Sequence, residues 1–98
     1  MKVEFANDDL ARIRTDQAHR MGLPFVVIKS ARNKLIQLEA AADERDLIKI
    51  RGLDYKTRKG GTNETKSIRV NDQYLILFTL SITGSITVAT ITFIGDPH

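Results

Sequence analysis

The residues best equipped for chemistry are basic, and they gather in one part of the chain. Residues 1–48 hold eight Lys/Arg against eight Asp/Glu, whereas residues 49–98 hold seven against four, with all seven between Lys49 and Arg69. Cations packed this densely are the electrostatic footprint of a polyanion. On composition alone, a solvated charged loop explains them about equally well. Lys56, Arg58, Lys59 and Lys66 lie in this tract, and Lys56-Thr-Arg-Lys-Gly-Gly61 with Arg69 and the terminal Asp96-Pro-His98 reads as a phosphate-facing site. Arginine suits that task because its planar fork holds two phosphate oxygens and stays charged. A histidine titrates near ~6.5 and so gives or accepts a proton near neutrality. His98 has Asp96 and its own terminal carboxylate beside it, which favour its charged form. Taken alone, it reads as a terminal residue without a role. His19, in a polar, turn-flanked segment, reads as surface. Two histidines and no cysteine argue against a metal site, and no cofactor is expected.

A sheet must carry these residues. Ser67–Leu80 is rich in Val, Ile, Leu, Tyr and Phe, types that suit a pleated, half-buried surface. Alternation puts Tyr74, Ile76, Phe78 and Leu80 on one face and Leu75, Leu77 and Thr79 on the other, with Arg69 on the Leu75 side. Ser81–Ser85 is expected as a hairpin loop and Ile86–Ile94 as the return strand. Lys2–Ala6 alternates weakly, as a short edge strand or the lead-in to a helix. Asn7 or Asp8 caps a short helix from which Leu10 and Ile13 face inward. The clearest helix starts near Pro24, with Ile28, Ala31, Leu35, Leu38 and Ala42 at steps of three and four. Asp43–Leu47 reads as a final turn or separate short helix. Helices first and an antiparallel sheet afterwards predict an α+β, two-layer fold.

With 98 residues, the chain is expected to be one domain, residues 1–98, that needs no staples. It lacks cysteine, and its N-terminus offers no apolar run suited to a signal peptide. Tyr74–Leu80 is too short to span a bilayer, so a soluble, cytoplasmic protein without membrane partners is expected.

The order of the motifs is itself informative. A helix leads to Leu38-Glu-Ala-Ala-Ala-Asp-Glu-Arg-Asp-Leu47, then Lys59-Gly60, then Ser67-Ile-Arg-Val-Asn71 with Tyr74-Leu-Ile-Leu-Phe78, then Asp96-Pro-His98. Over residues 28–98 this resembles the HigB-like toxins of bacterial type II toxin–antitoxin modules, in the RelE superfamily. The resemblance implies a RelE-like two-layer fold, with N-terminal helices packed on a small, mainly antiparallel sheet. It implies a ribosome-dependent endoribonuclease that cuts mRNA in the A site, the ribose 2′-OH attacking the adjacent phosphate without a metal. It also implies a helix-turn-helix, HigA-like antitoxin, through which the complex reaches operator DNA. Arg69, His98, Lys59 and Asp96 would be catalytic, and Lys56, Arg58 and Lys66 would hold RNA phosphates.

Two positions depart from the pattern. Leu75 stands where the family has a second arginine, and Pro97 where it has tyrosine. Leucine can neither bind phosphate nor stabilise developing charge, and losing one such donor typically costs ~10²–10³ in rate. The close match of its neighbours favours a deliberately inactivated form, one that can be produced without killing its host, over a natural variant with weak activity. A second reading follows from the same departures, namely an inactive antitoxin-binding co-repressor. A third, a plain RNA- or ribosome-binding protein, accounts for the charge but not for the motif order.

Overall fold

The computed structural model describes residues 1–58 and 64–97. β1 (Lys2–Phe5) is followed by α1 (Asp8–Ala11), two single 3₁₀ turns, α2 (Phe25–Ala40) and α3 (Glu44–Lys49). Four strands complete the chain: β2 (Lys56–Arg58), β3 (Thr65–Arg69), β4 (Leu75–Thr83) and β5 (Ile86–Gly95). The sheet order is β1-β5-β4-β3-β2, antiparallel throughout except for β1, which runs parallel to β5. This is the expected α+β arrangement, and the weakly alternating N-terminus is an edge strand.

Local chemistry sets the helix ends. Asn7 is the N-cap of α1, its Oδ1 accepting from the Leu10 N–H at 2.9 Å. Pro24 opens α2 with a fixed φ, and its carbonyl accepts from Val27 and Ile28. Asp43 caps α3 by accepting from the Arg45 and Asp46 N–H groups, while the Asp46 carboxylate reaches back to the Ala42 N–H at 2.8 Å. That exchange ends α2 earlier than the apolar spacing predicts. Ala41 turns extended and takes the buried place expected of Ala42, which is exposed.

α2 buries Val27, Ile28, Ala31, Leu35 and Leu38. They share one core cluster with Ile68 and Val70, Ile76 and Phe78, and Ala89, Ile91 and Ile94 from the sheet. The register sets Ile68 opposite Ile76 and Ile76 opposite Ile94, so one row of the pleat is continuous across three strands. An irregularity between Leu77 and Phe78 then brings Phe78 opposite Ile91. The hairpin is tighter than expected: Thr83 pairs with Ile86 across Gly84-Ser85, and Gly84 takes φ 63°. Short turns of this kind match the twist of paired strands and demand a residue tolerant of positive φ. Among the described residues, no helix is long and apolar enough to cross a membrane.

Candidate active site

Arg69 is the last residue of β3 and is held in place by the turn that follows. The Asn71 side-chain oxygen accepts from both Gln73 and Tyr74 N–H at 2.8 Å, and the Val70 N–H donates to the Tyr74 carbonyl. This side-chain-closed turn reverses the chain in the space of Asn71-Asp-Gln73. Within it the Arg69 Nε donates to the Asn71 carbonyl at 3.2 Å, and a terminal guanidinium nitrogen meets the Asp72 carboxylate. Half of the Arg69 side chain stays exposed.

The β3 register sets Arg69 directly opposite Leu75, and Leu75 opposite Gly95. Ser67, two residues before Arg69, is therefore on the same face, and its Oγ accepts from Arg58 Nε at 3.1 Å. Lys56 pairs with Asp54 at 3.3 Å. The result is an open cleft of about 450 Å³, whose walls include Lys56, Arg58, Arg69, Gln73, Leu75 and Pro97. Asp96 stands beside it, accepting from Gln73 Nε2 at 2.9 Å. Two strands, β2 and β3, thus bring Lys56, Arg58 and Arg69 around one hollow, with an apolar leucine from β4 where a fourth cation would extend it. Lys59 and His98 lie outside the described residues.

Lys66, expected among the phosphate ligands, is not among the residues that line this cleft. Three residues before Arg69, it falls on the opposite face, and its Nζ lies 3.0 Å from Glu64, 3.3 Å from Glu44 on α3 and 3.0 Å from the Thr57 hydroxyl. Only a tenth of its side chain is exposed. Burial lowers the Lys66 pKa, but hydrogen bonds to Glu64 and Glu44 outweigh it and the net shift is upward. The Tyr55 hydroxyl donates to Glu44, and this bond, ahead of the contribution from Lys66, pulls the Glu44 carboxyl below its ordinary range. Burial and the Glu44 charge push Tyr55 up. The Tyr55 ring stacks on Phe78 at 6.2 Å. This cluster ties α3 to β2 and β3 and leaves Lys66 no free valence for a phosphate.

Asn71, Gln73, Ser67 and Asp54 are cleft residues that the basic-cluster reading passes over. Asn-Asp-Gln between two strands is a turn signal, and it marks where Arg69 must emerge. The arrangement can hold an anion between Arg58, Lys56 and Arg69. It supplies no donor from the strand position opposite Arg69.

The comparisons agree with this architecture. Residues 3–98 match the family described as the RelE-like toxin of the type II toxin-antitoxin system HigB. Among solved structures, a YoeB/ParE toxin from Agrobacterium tumefaciens superposes with a TM-score of 0.55 at 15% identity, covering 100% of each chain. At that identity the likeness speaks for the fold alone. No curated protein matches the sequence. Matched to that family over nearly its whole length, the chain belongs to the HigB-like, RelE-like toxins of type II toxin–antitoxin systems, a membership that implies an antitoxin partner.

Proposed function

We propose that this single-domain chain is a cytoplasmic, ribosome-dependent mRNA endonuclease, weakened at Leu75, whose cleft receives the phosphate to be cut. The observation that carries this reading is the convergence of Lys56 and Arg58 from β2 and Arg69 from β3 on one hollow. In the reaction the ribose 2′-oxygen forms a bond to the adjacent phosphorus as the bond to the 5′-oxygen breaks. The 2′-OH proton goes to a base and the leaving oxygen takes up a proton, so no metal is needed. Charge builds on the phosphate as this happens, and fixed cations stabilise it. Arg69 and Lys59 are the stabilising cations, Arg58 and Lys56 position the backbone, and His98 with Asp96 moves the protons. The partners are bacterial ribosomes, mRNA and a HigA-like helix-turn-helix antitoxin that alone contacts operator DNA.

The test is mRNA cleavage on purified bacterial ribosomes by this protein and by its Leu75→Arg variant. Cutting by the variant at a rate ~10²–10³ above the parent is expected, from the worth of one transition-state donor. A second reading, an inactive antitoxin-binding co-repressor, is favoured by one observation: Leu75 places an apolar side chain directly opposite Arg69. Absence of cleavage by both proteins, with antitoxin binding retained, would leave that reading in place of the nuclease.

A further inference from the structure

Arg69 does not border one cleft only. On its other side lies a second hollow of about 420 Å³, whose walls include Ile48, Arg51, Gly52, Tyr55 and again Arg69. Asp54 also belongs to both clefts, and it takes φ 48°, a left-handed conformation that Asp tolerates better than most side chains. The chain thus folds sharply at the shared rim, and Arg69 and Asp54 line both of two adjoining hollows.

The chemistry of the second cleft is distinctive. Arg51 is exposed and has no hydrogen-bond or ion-pair partner among the described residues, unlike Arg69, Arg58 and Lys56. Ile48 is 69% exposed, an apolar ledge at the end of α3. The Tyr55 hydroxyl is already committed to Glu44 and its ring stacks on Phe78, so what borders the cleft is the remainder of a half-buried ring. The one carboxylate on the walls, Asp54, is paired with Lys56. A free cation beside apolar surface, sharing an arginine with a phosphate site, matches what single-stranded RNA offers: a charged backbone and a flat base.

We propose that this second cleft is a nucleotide subsite, which takes the RNA residue next to the phosphate held in the Leu75 cleft. Arg51 holds its phosphate and Ile48 with Tyr55 supports its base. The proposal rests on the reading of the Leu75 cleft as an RNA site.

Binding of a fluorescein-labelled ten-nucleotide single-stranded RNA, followed by anisotropy at several salt concentrations, tests it. Arg51→Ala is expected to weaken binding ~5–10-fold and to flatten the salt dependence by about one counterion, the signature of one lost phosphate contact. Arg51→Lys retains most of the salt slope, and Ile48→Ser weakens binding without changing it. Arg20→Ala removes the same charge from a different hollow, one shared with Asp9 and Met21, and serves as the control. Equal effects of Arg51→Ala and Arg20→Ala, while Arg69→Ala still weakens binding, would overturn the subsite and spare the main cleft. No effect of Arg69→Ala would remove the main-cleft reading and the subsite with it. If Arg51→Ala weakened binding of a polyglutamate peptide and left RNA binding untouched, the cleft would belong to an acidic protein segment instead.

Discussion

Lys66 and Arg69 stand three residues apart on one strand, yet they meet opposite fates. Lys66 points to the helix-covered side, where Glu44, Glu64 and Thr57 surround it and little of it reaches solvent. Arg69 points to the bare side, held loosely by a turn carbonyl and by Asp72, whose side chain is almost fully exposed. The odd spacing decides this, since neighbours along a strand alternate between faces. The covered face uses its charge to hold the fold together, and the bare face leaves its charge half exposed to solvent. Two cations with the same formal charge therefore differ in their surroundings, one enclosed by carboxylates and one at the rim of an open cleft.

The contrast can be broken most severely at the core. Phe78, fully buried under the helices, should cost ~3–5 kcal/mol on truncation to Ala, whereas half-buried Leu77 on the bare face should cost clearly less. Urea unfolding of both variants checks this, and equal losses would erase the distinction between the faces. Leu75→Arg should do the reverse of Phe78→Ala. It is expected to raise cleavage by ~10²–10³ while moving the unfolding midpoint less than the core variant does.

The Lys66 cluster gives a smaller effect with a pH signature. Lys66→Met should cost ~1–2 kcal/mol at neutral pH, modest because both carboxylate partners remain partly solvated. The folded Glu44 pKa is below its ordinary 4.5, so its contribution is present above that value and is lost as pH falls through the lowered one. Tyr55 and Lys66 are both raised, so their contributions hold below their ordinary 10.0 and 10.5 and are lost as pH rises further. Unfolding of Tyr55→Phe and Glu44→Gln across pH should flatten the alkaline and acid limbs respectively. An unchanged alkaline limb in Tyr55→Phe would show that the cluster does not act as described. Smallest of all, Asp72→Asn should shift stability by no more than ~0.5 kcal/mol, because the pair is exposed. It should nevertheless tighten RNA binding a few-fold by freeing Arg69, which a salt titration would register.

Much of this contrast could be read before the fold was known. Strand alternation places Arg69 with Leu75 and away from Ile76 and Phe78, and the register agrees. The same rule, applied to Lys66, puts it on the covered face, but density of charge is a louder signal than parity and groups it with the loop cations. Its partner Glu44 comes from a helix that sequence periodicity barely announces, so the ion pair itself was not legible. Strand length is misjudged, since Ser81–Ser85 reads as a loop whereas Ser81-Ile82-Thr83 continues the alternation of β4 up to Gly84. The polar letters there resemble a loop only if the pattern is ignored. Asn71-Asp-Gln73 is passed over when Ser67–Leu80 is read as strand, and that a turn there would hold Arg69 and reach Asp96 depends on three-dimensional closure.

The parallel pairing of β1 with β5 has a bearing on how the molecule comes into being. Lys2 lies beside Val88, so the earliest and latest strands are sheet neighbours, and that contact closes nearly the whole chain into a loop. Such long-range pairing is slow because its entropy is lost before its contacts form. The β4–β5 hairpin, by contrast, joins residues adjacent in sequence. The order of events that follows is hairpin first and β1 last, so the sheet is finished only after β5 has been synthesised. Stopped-flow kinetics of Val3→Ala should then show faster unfolding with refolding nearly unchanged. A matching slowdown in refolding would place β1 in the nucleus instead.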